Sequence, residues 1–214
     1  MPASRIHLVR HGEVANPEHV LYGRLDGFGL SPLGVQMAQA AGDELTASGR
    51  PVSALFASPL LRAQQSASPI ATAFALPIQT DERFVEPTNA FEGKRMRGPG
   101  GALRDPRNWR YMANPFKPSW GEPFSSIVSR MMAGIADADA SVDGGDVVIV
   151  SHQACITMVA RSVAGKGLAH NPGTRRCNLS SITSLEKHGD RYVEVGYSDP
   201  AAHLSGSATD VGAV

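Results

Sequence analysis

The chain predicts a three-layer α/β/α sandwich, with a mostly parallel central sheet and an antiparallel edge. Three observations carry that expectation. Short apolar runs alternate with segments of helical periodicity, the runs end in turn residues, and two late alternating strands are spaced as a hairpin. With 214 residues, one domain can bury a sizeable core.

The elements follow in order. Ile6-His7-Leu8-Val9 is a four-residue apolar run stopped at Arg10-His11-Gly12, which reads as a buried strand. Residues 12–32 are rich in Gly, Pro and Asn and form a loop. Leu33, Met37, Ala40, Ala41 and Leu45 then recur at helical spacing, giving a helix over about 32–48 that Gly49 stops. Val52 to Ala57 is the second strand, and Ser58-Pro59 opens a helix carried by Leu60, Leu61, Ala63, Ala67, Ile70, Ala71 and Phe74. A short strand over about 77–80 leads to the segment holding Glu86.

Residues 87–121 break the rhythm with little periodicity and a cluster of bases: Lys94, Arg95, Arg97, Arg104, Arg107, Arg110 and Lys117. A long connection inside a compact domain reads as a lid, and Trp109, Tyr111, Phe116 and Trp120 favour a packed one. Those bases either form a solvated face or grip an anionic substrate. Phe124, Ile127, Val128, Met131, Met132 and Ile135 then make the clearest helical stripe. Val147-Val148-Ile149-Val150 is the clearest buried strand, ending in Ser151-His152. A helix over about 153–164 and strands at roughly 180–187 and 191–197, joined by His188-Gly189-Asp190, complete the pattern. The expected domain is 1–198, followed by a small, polar, flexible tail over 199–214.

Composition narrows the function. Twenty basic residues balance twenty acidic ones, so no global basic field recruits nucleic acid. Cys155 and Cys177 lack disulfide-framework or zinc spacing and read as buried reduced thiols. The apolar run after Arg5 is too short for a signal peptide, and no stretch approaches the roughly 20 apolar residues of a membrane span. The expectation is a cytoplasmic protein with no membrane partner; a homodimer stays open.

Three strand ends carry matching chemistry. Arg10 and His11 follow the first strand, Arg62 lies one short turn beyond the second, and His152 caps Val147–Val150. Arg10 and His11 alone fit an ordinary loop as well as an active site. In a parallel sheet, however, these ends share the edge where ligands bind. Arginine grips phosphate oxygens with a planar fork, and a neutral histidine can attack phosphorus. Neighbouring arginines disfavour imidazolium at His11, and they neutralise phosphoryl oxygens. An alcohol leaving group needs a proton, for which Glu86 is the best-placed carboxylate by order along the chain. This chemistry requires no metal and no cofactor. His7 reads as an in-strand packing residue, and His19, His170, His188 and His203 as solvated loop residues.

Leu8-Val9-Arg10-His11-Gly12-Glu13, the stretch from Ser58-Pro59 through Arg62 to Ala67, and Val150-Ser151-His152 together resemble the ordered signatures of the histidine phosphatase superfamily, the phosphoglycerate mutase-like group. The likeness runs almost to the end of the chain, through Asn178 to Thr183. It implies a phosphoglycerate mutase-like fold, a phosphohistidine on His11, a phosphate pocket of Arg10, Arg62 and His152, and Glu86 as acid and base. Phe91-Glu92-Gly93 resembles the element after the family's acid, which supports Glu86 over Glu82 or Glu92. Two departures stand out. His152-Gln153-Ala154 replaces the frequent His-Gly-Gly, so Gln153 either narrows the pocket or adds a substrate hydrogen bond. Asn16 comes one residue earlier than in the common pattern. Glu13 reads as an orienting residue, and Tyr22-Gly23-Arg24 as a loop within reach of substrate. The expected activity is a metal-independent phosphatase for a small phosphorylated metabolite. Phosphoglycerate mutase-type transfer and a non-catalytic binding or regulatory protein are the alternatives.

Overall fold

The computed structural model describes residues 2–96, 101–107, 109 and 120–210. Arg97, Arg110, Tyr111, Phe116 and Lys117 lie outside them. Six strands form one sheet: β1 (Arg5–Arg10), β2 (Val52–Ala57), β3 (Ile78–Thr80), β4 (Asp146–Ser151), β5 (Ile182–His188) and β6 (Arg191–Ser198), in the order β3-β2-β4-β1-β5-β6. The first four are parallel, while β5 runs antiparallel to β1 and β6 antiparallel to β5. The expected mostly parallel sheet with an antiparallel edge is what forms.

Strand alternation divides the core. Ile6, Leu8, Val147, Ile149 and Leu185 face α3 (Phe124–Ala140) and α4 (Gln153–Val163), whose Ile127, Met131, Ile135, Ile156 and Val159 cover them. Val9, Leu55, Ala57, Val148, Val150 and Ile182 face the other way, against Ala41 and Leu45 of α1 (Pro32–Ala47) and Ala63, Ala67 and Ile70 of α2 (Leu61–Phe74). β4 is buried at every position because helices cover both faces of the sheet. Local signals set the ends. Ser31 caps α1 by accepting from the Gly34 N–H, with Pro32 next, and Gly49 follows at φ +67. The helix after β2 starts at Leu61, one residue later than its apolar stripe suggests.

His7 does not pack as an apolar residue. Its Nε2 lies 3.1 Å from Asp146 Oδ2 and its Nδ1 is 2.9 Å from Ser184 Oγ, while Arg50 holds Asp146 at 2.6 and 2.8 Å. His170 is half-buried rather than solvated. Both cysteines are free and buried. The 87–121 connection is clipped by an antiparallel bridge from Asn89 to Gly121, and Phe91, Met96, Ala102 and Trp120 pack on Leu21. Trp109, expected to help pack a lid, stands 61% exposed, and Lys94, Arg95, Arg104 and Arg107 are exposed as well. Among the described residues no helix is long and apolar enough to cross a membrane.

The tail departs most from expectation. After β6 it forms a 3-10 turn at Ala202–Ser207; Ala201 is fully buried, and Leu204 and Ala208 pack with Met37 and Leu179. The Thr209 N–H donates to Glu13 Oε1 at 2.6 Å, and Glu13 Oε2 accepts from Ser31 Oγ at 2.5 Å. Residues 199–210 thus pack against α1 and the turn after β1. A small apolar cluster and one buried carboxylate hold them.

The turn after β1 lies against the start of α1 with no room between the backbones. A Cβ on Gly34 would sit 2.0 Å from the Glu13 carbonyl oxygen, and one on Gly12 would sit 2.4 Å from that of Gly34. Gly34→Ala is expected to cost about 1–3 kcal/mol through forced backbone displacement, lowering Tm by roughly 2–12 °C in a domain of this size. Gly167→Ala, which meets nothing within 4 Å, is the control, and differential scanning calorimetry of the two variants reads the difference.

Candidate active site

The carboxyl ends of β1 and β4 are neighbours in register, with Arg10 opposite Ser151. This pairing sets His11 beside His152, their ring centroids 5.2 Å apart. The β1 turn is pinned on all sides: the His11 N–H donates to Ser151 O at 3.1 Å, the Ser180 N–H to His11 O at 3.3 Å, and the Gly12 N–H to Ser66 Oγ at 3.1 Å. Ring orientation follows from local partners. Nδ1 of His11 lies 2.8 Å from Gly12 O, a carbonyl that can only accept, so Nδ1 carries the proton and Nε2 keeps its lone pair. Burial, then Arg62 and Arg10, hold the His11 pKa well below the ordinary histidine value. The ring is neutral, with a lone pair on Nε2.

His152 is set by Ser58. The Ser58 hydroxyl accepts from the Leu60 N–H at 3.4 Å and pairs with His152 Nε2 at 2.7 Å. The other nitrogen, Nδ1, is on the Glu86 side of the ring. It lies 3.3 Å from Glu86 Oε2 but outside hydrogen-bond geometry, and remains a buried polar atom without a partner. Burial, then Arg62 and His11, keep this ring neutral too.

Two guanidinium groups complete the cradle. Arg62 reaches in from the first turn of α2, donates from Nη2 to Gly23 O at 2.7 Å and lies 4.7 Å over the buried ring of Tyr22. Arg10 donates from Nη1 to Cys177 O at 2.8 Å. Nε of Arg10 and Nε of Arg62 are both buried without partners. Unsatisfied buried donors are rare because each costs about 1–3 kcal/mol. With His152 Nδ1 there are three buried nitrogens without partners near His11. The cluster is built to receive an anion.

Glu86 faces the histidines from a loop held by its backbone. After the 3-10 turn Glu82–Phe84, Ser151 Oγ donates to Phe84 O at 2.8 Å, Arg130 Nη1 to Arg83 O at 2.6 Å, and Arg24 Nε to Glu86 O at 2.5 Å. The carboxyl is left in the site, its pKa pushed up to about 7 because burial outweighs Arg62, Arg10, Arg175 and Arg130. Glu82 is exposed, and Glu92 Oε1 is occupied by the N–H groups of Arg24 and Asn89. His11, Glu86 and His152 present ligand atoms within 4.8 Å of one another, close enough for a metal ion. Arg10 and Arg62 surround those atoms with positive potential, which favours an anion over a cation.

The sequence-named contact residues divide. Tyr22 and Gly23 shape the pocket through Arg62, and Arg24 supports Glu86 while lying 3.5 Å from Glu122. Asn16 does not reach the cradle: its side chain closes its own loop, with both amide atoms on the Val20 backbone at 2.8 and 3.2 Å. Gln153 is likewise turned aside, donating to Cys177 O and accepting from Arg175 Nη1, each at 3.3 Å.

Three residues escaped the sequence reading. Ser58 looked like a helix-entry residue, Arg175 one of two adjacent arginines in a loop. Asp210 lay in the presumed tail, where it is the lone acid after Asp199. In the fold Asp210 grips Arg10 bidentately, at 2.7 and 2.8 Å. Burial penalises the Arg10 charge, and Asp210 more than offsets it, holding the guanidinium pKa above its ordinary value. An incoming anion competes with that carboxylate. Asp210→Asn is therefore expected to tighten inorganic phosphate binding several-fold in isothermal calorimetry; unchanged or weaker affinity contradicts the competition.

Three comparisons bear on the family of the chain. The family model "Histidine phosphatase superfamily (branch 1)" matches residues 6–200. The Mycobacterium tuberculosis protein Rv0525 is 48% identical over 200 residues, covering 93% of this chain and 98% of its own. Among solved structures, Bacillus stearothermophilus YhfR superposes with a TM-score of 0.75 at 25% identity, covering 89% of this chain and 95% of its own. The mycobacterial glucosyl-3-phosphoglycerate phosphatase Rv2419c with VO3 shares the fold at a TM-score of 0.72 and 24% identity, over 89% and 96% of the two chains. The chain belongs to the histidine phosphatase superfamily.

Proposed function

We propose that the protein is a metal-independent phosphatase that hydrolyses a phosphomonoester of a small metabolite through a phosphohistidine on His11. The observation that carries this reading is the pair of partnerless buried donors, Arg10 Nε and Arg62 Nε, together with the partnerless His152 Nδ1, in the pocket of a neutral His11 whose Nε2 keeps its lone pair. A phosphoryl group's oxygens match those donors, and its phosphorus then faces the nucleophile.

The steps follow from the atoms present. Nε2 of His11 attacks phosphorus as the bond to the ester oxygen breaks. Glu86 gives its proton to the departing alkoxide, which leaves as the alcohol. The Nδ1–H bond to Gly12 O stabilises the charge that the ring acquires on phosphorylation. In the second half, the Glu86 carboxylate takes a proton from water as that water attacks phosphorus. The N–P bond breaks, His11 returns neutral, and inorganic phosphate is released. Arg10 and Arg62 hold the phosphoryl oxygens throughout. The cleft beside Glu86 is lined by Pro87, Trp120, Phe124 and Arg175.

Rapid acid or base quench after mixing with a 32P-labelled ester tests the nucleophile. Label that is base-stable and acid-labile is expected on the wild type and absent from His11→Ala; retained labelling in the variant refutes the assignment. Phosphate release separates hydrolysis from return of the phosphoryl group to substrate.

Glu86 has a separate signature. Its proton is needed for poor leaving groups, and its pKa in the free protein is about 7. The protonated form is present below that value and lost above it, so kcat/KM for alkyl phosphates is expected to fall as pH rises through about 7. Glu86→Gln is expected to cost alkyl phosphates 10²-fold or more, in the usual range for acid catalysis, and p-nitrophenyl phosphate much less. Equal losses on both esters would remove Glu86 from the acid role.

A further inference from the structure

Arg175 is a cation for which the steps above have no task. It follows the 3-10 turn Pro172–Thr174 and lines the cleft that leads away from Glu86, with Ala154, Phe124 and Glu122. Its head is fixed by neutral acceptors. Nδ1 of His170 lies 2.8 Å from Leu168 O and so carries the proton, leaving Nε2 to accept from Arg175 Nε at 2.9 Å. Gln153 spends its amide nitrogen on Cys177 O, so its oxygen faces Arg175 Nη1 at 3.3 Å. These contacts orient the guanidinium without neutralising it. Among the described residues no carboxylate lies within ion-pair distance of Arg175, and its Nη2 has no hydrogen-bond partner.

Burial without a counterion is costly for such a group, and it holds the Arg175 pKa below the ordinary guanidinium value. The neighbouring acid cannot serve as the missing partner. Glu122 is held by Arg130 at 2.8 and 2.9 Å and approached by Arg24 at 3.5 Å. With Glu86 carrying its proton, Arg24, Arg130 and Arg175 face one ionised carboxylate around the cleft. The side of the site that receives the leaving alcohol is therefore net positive.

We propose that Arg175 binds a second anionic group on the alcohol portion of the ester, so that the preferred substrate is a phosphomonoester whose leaving group itself carries a carboxylate or another phosphate. This rests on the hydrolase reading above and adds the chemical class of the leaving group. An oxyanion on Nη2 completes the shell that Gln153 and His170 leave open, while the ester oxygen faces Glu86. Gln153 then has an indirect part: it positions the arginine and does not touch the substrate.

The test uses three esters of equal reach: 3-hydroxypropyl phosphate, its analogue ending in a carboxylate, and propane-1,3-diol bisphosphate. Wild-type kcat/KM is expected to favour at least one anionic ester over the hydroxyl ester by tenfold or more, and the preferred ester identifies the anion. In Arg175→Gln that ratio is expected to collapse toward one, mainly through KM, with Arg175→Lys intermediate. No preference in the wild type, or equal losses on all three esters in Arg175→Gln, overturns the subsite. Thermal unfolding checks that each variant is folded. If no ester and no p-nitrophenyl phosphate turns over, the hydrolase reading fails, and calorimetric binding of the same esters then decides the subsite. A preference lost in Arg175→Gln supports it, and equal affinities in both proteins refute it.

Discussion

Arg10 and Arg62 carry their side chains into the interior at 0% and 1% exposure, where a charge is costly unless hydrogen-bonding partners surround it. Much of the surrounding chain is arranged to supply those partners. Cys177 and Gly23 offer carbonyls, Tyr22 offers the face of its ring, and Asp210 returns from the far end of the sequence to pair with Arg10. Even so, the buried Nε of each guanidinium has no hydrogen-bond partner. A fold that buries two cations and leaves donors open on both has stored a demand for an anion. Burial first, and then the same field, keep His11 and His152 neutral, since two fixed positive charges oppose a third.

Asp210 shows how the resting protein meets part of that demand. A carboxylate has two oxygens in a plane and suits the Arg10 fork, but it cannot also reach the unpaired Nε groups of Arg10 and Arg62 and Nδ1 of His152. A phosphoryl group has more oxygens and a tetrahedral spread, so it can use donors that Asp210 leaves idle. The tail contact is anchored elsewhere, by Glu13 and by Leu204 and Ala208 against Met37 and Leu179. Displacing the carboxylate from Arg10 therefore does not require the tail to undock.

The architecture was legible because strand and helix periodicities are dictated by burial. β4, α3 and the β5–β6 hairpin lie within a few residues of where Val147–Val150, the Ile127–Ile135 stripe and His188-Gly189-Asp190 put them. His11, Arg10, Arg62 and His152 were legible for a related reason: parallel topology carries strand ends to one edge whatever the loops do. Side chains whose direction depends on loop geometry were not. Asn16 and Gln153 have the right chemistry at the right place in the chain, yet the backbone turns both toward local partners. Arg175 and Asp210 sit in segments without periodicity, and only packing shows that one lines the cleft and the other meets Arg10. Small, polar composition from Ser198 onward suggested disorder, but Ala201 and Leu204 suffice to seat the tail against α1.

The field that suits an anion works against an acid. Arg62, Arg10, Arg175 and Arg130 all favour the ionised form of Glu86, but burial outweighs them and leaves its pKa at about 7. Near neutral pH the carboxyl is therefore divided between its two forms. A phosphate dianion on Arg10 and Arg62 cancels much of their positive potential and adds negative charge beside Glu86. Both changes push the carboxyl toward its protonated form when a leaving group arrives to take the proton. In the proposed reaction Glu86 is left ionised once the alcohol has gone and the phosphoryl group is bonded to His11. On that reading substrate binding prepares the acid, and loss of the leaving group prepares the base.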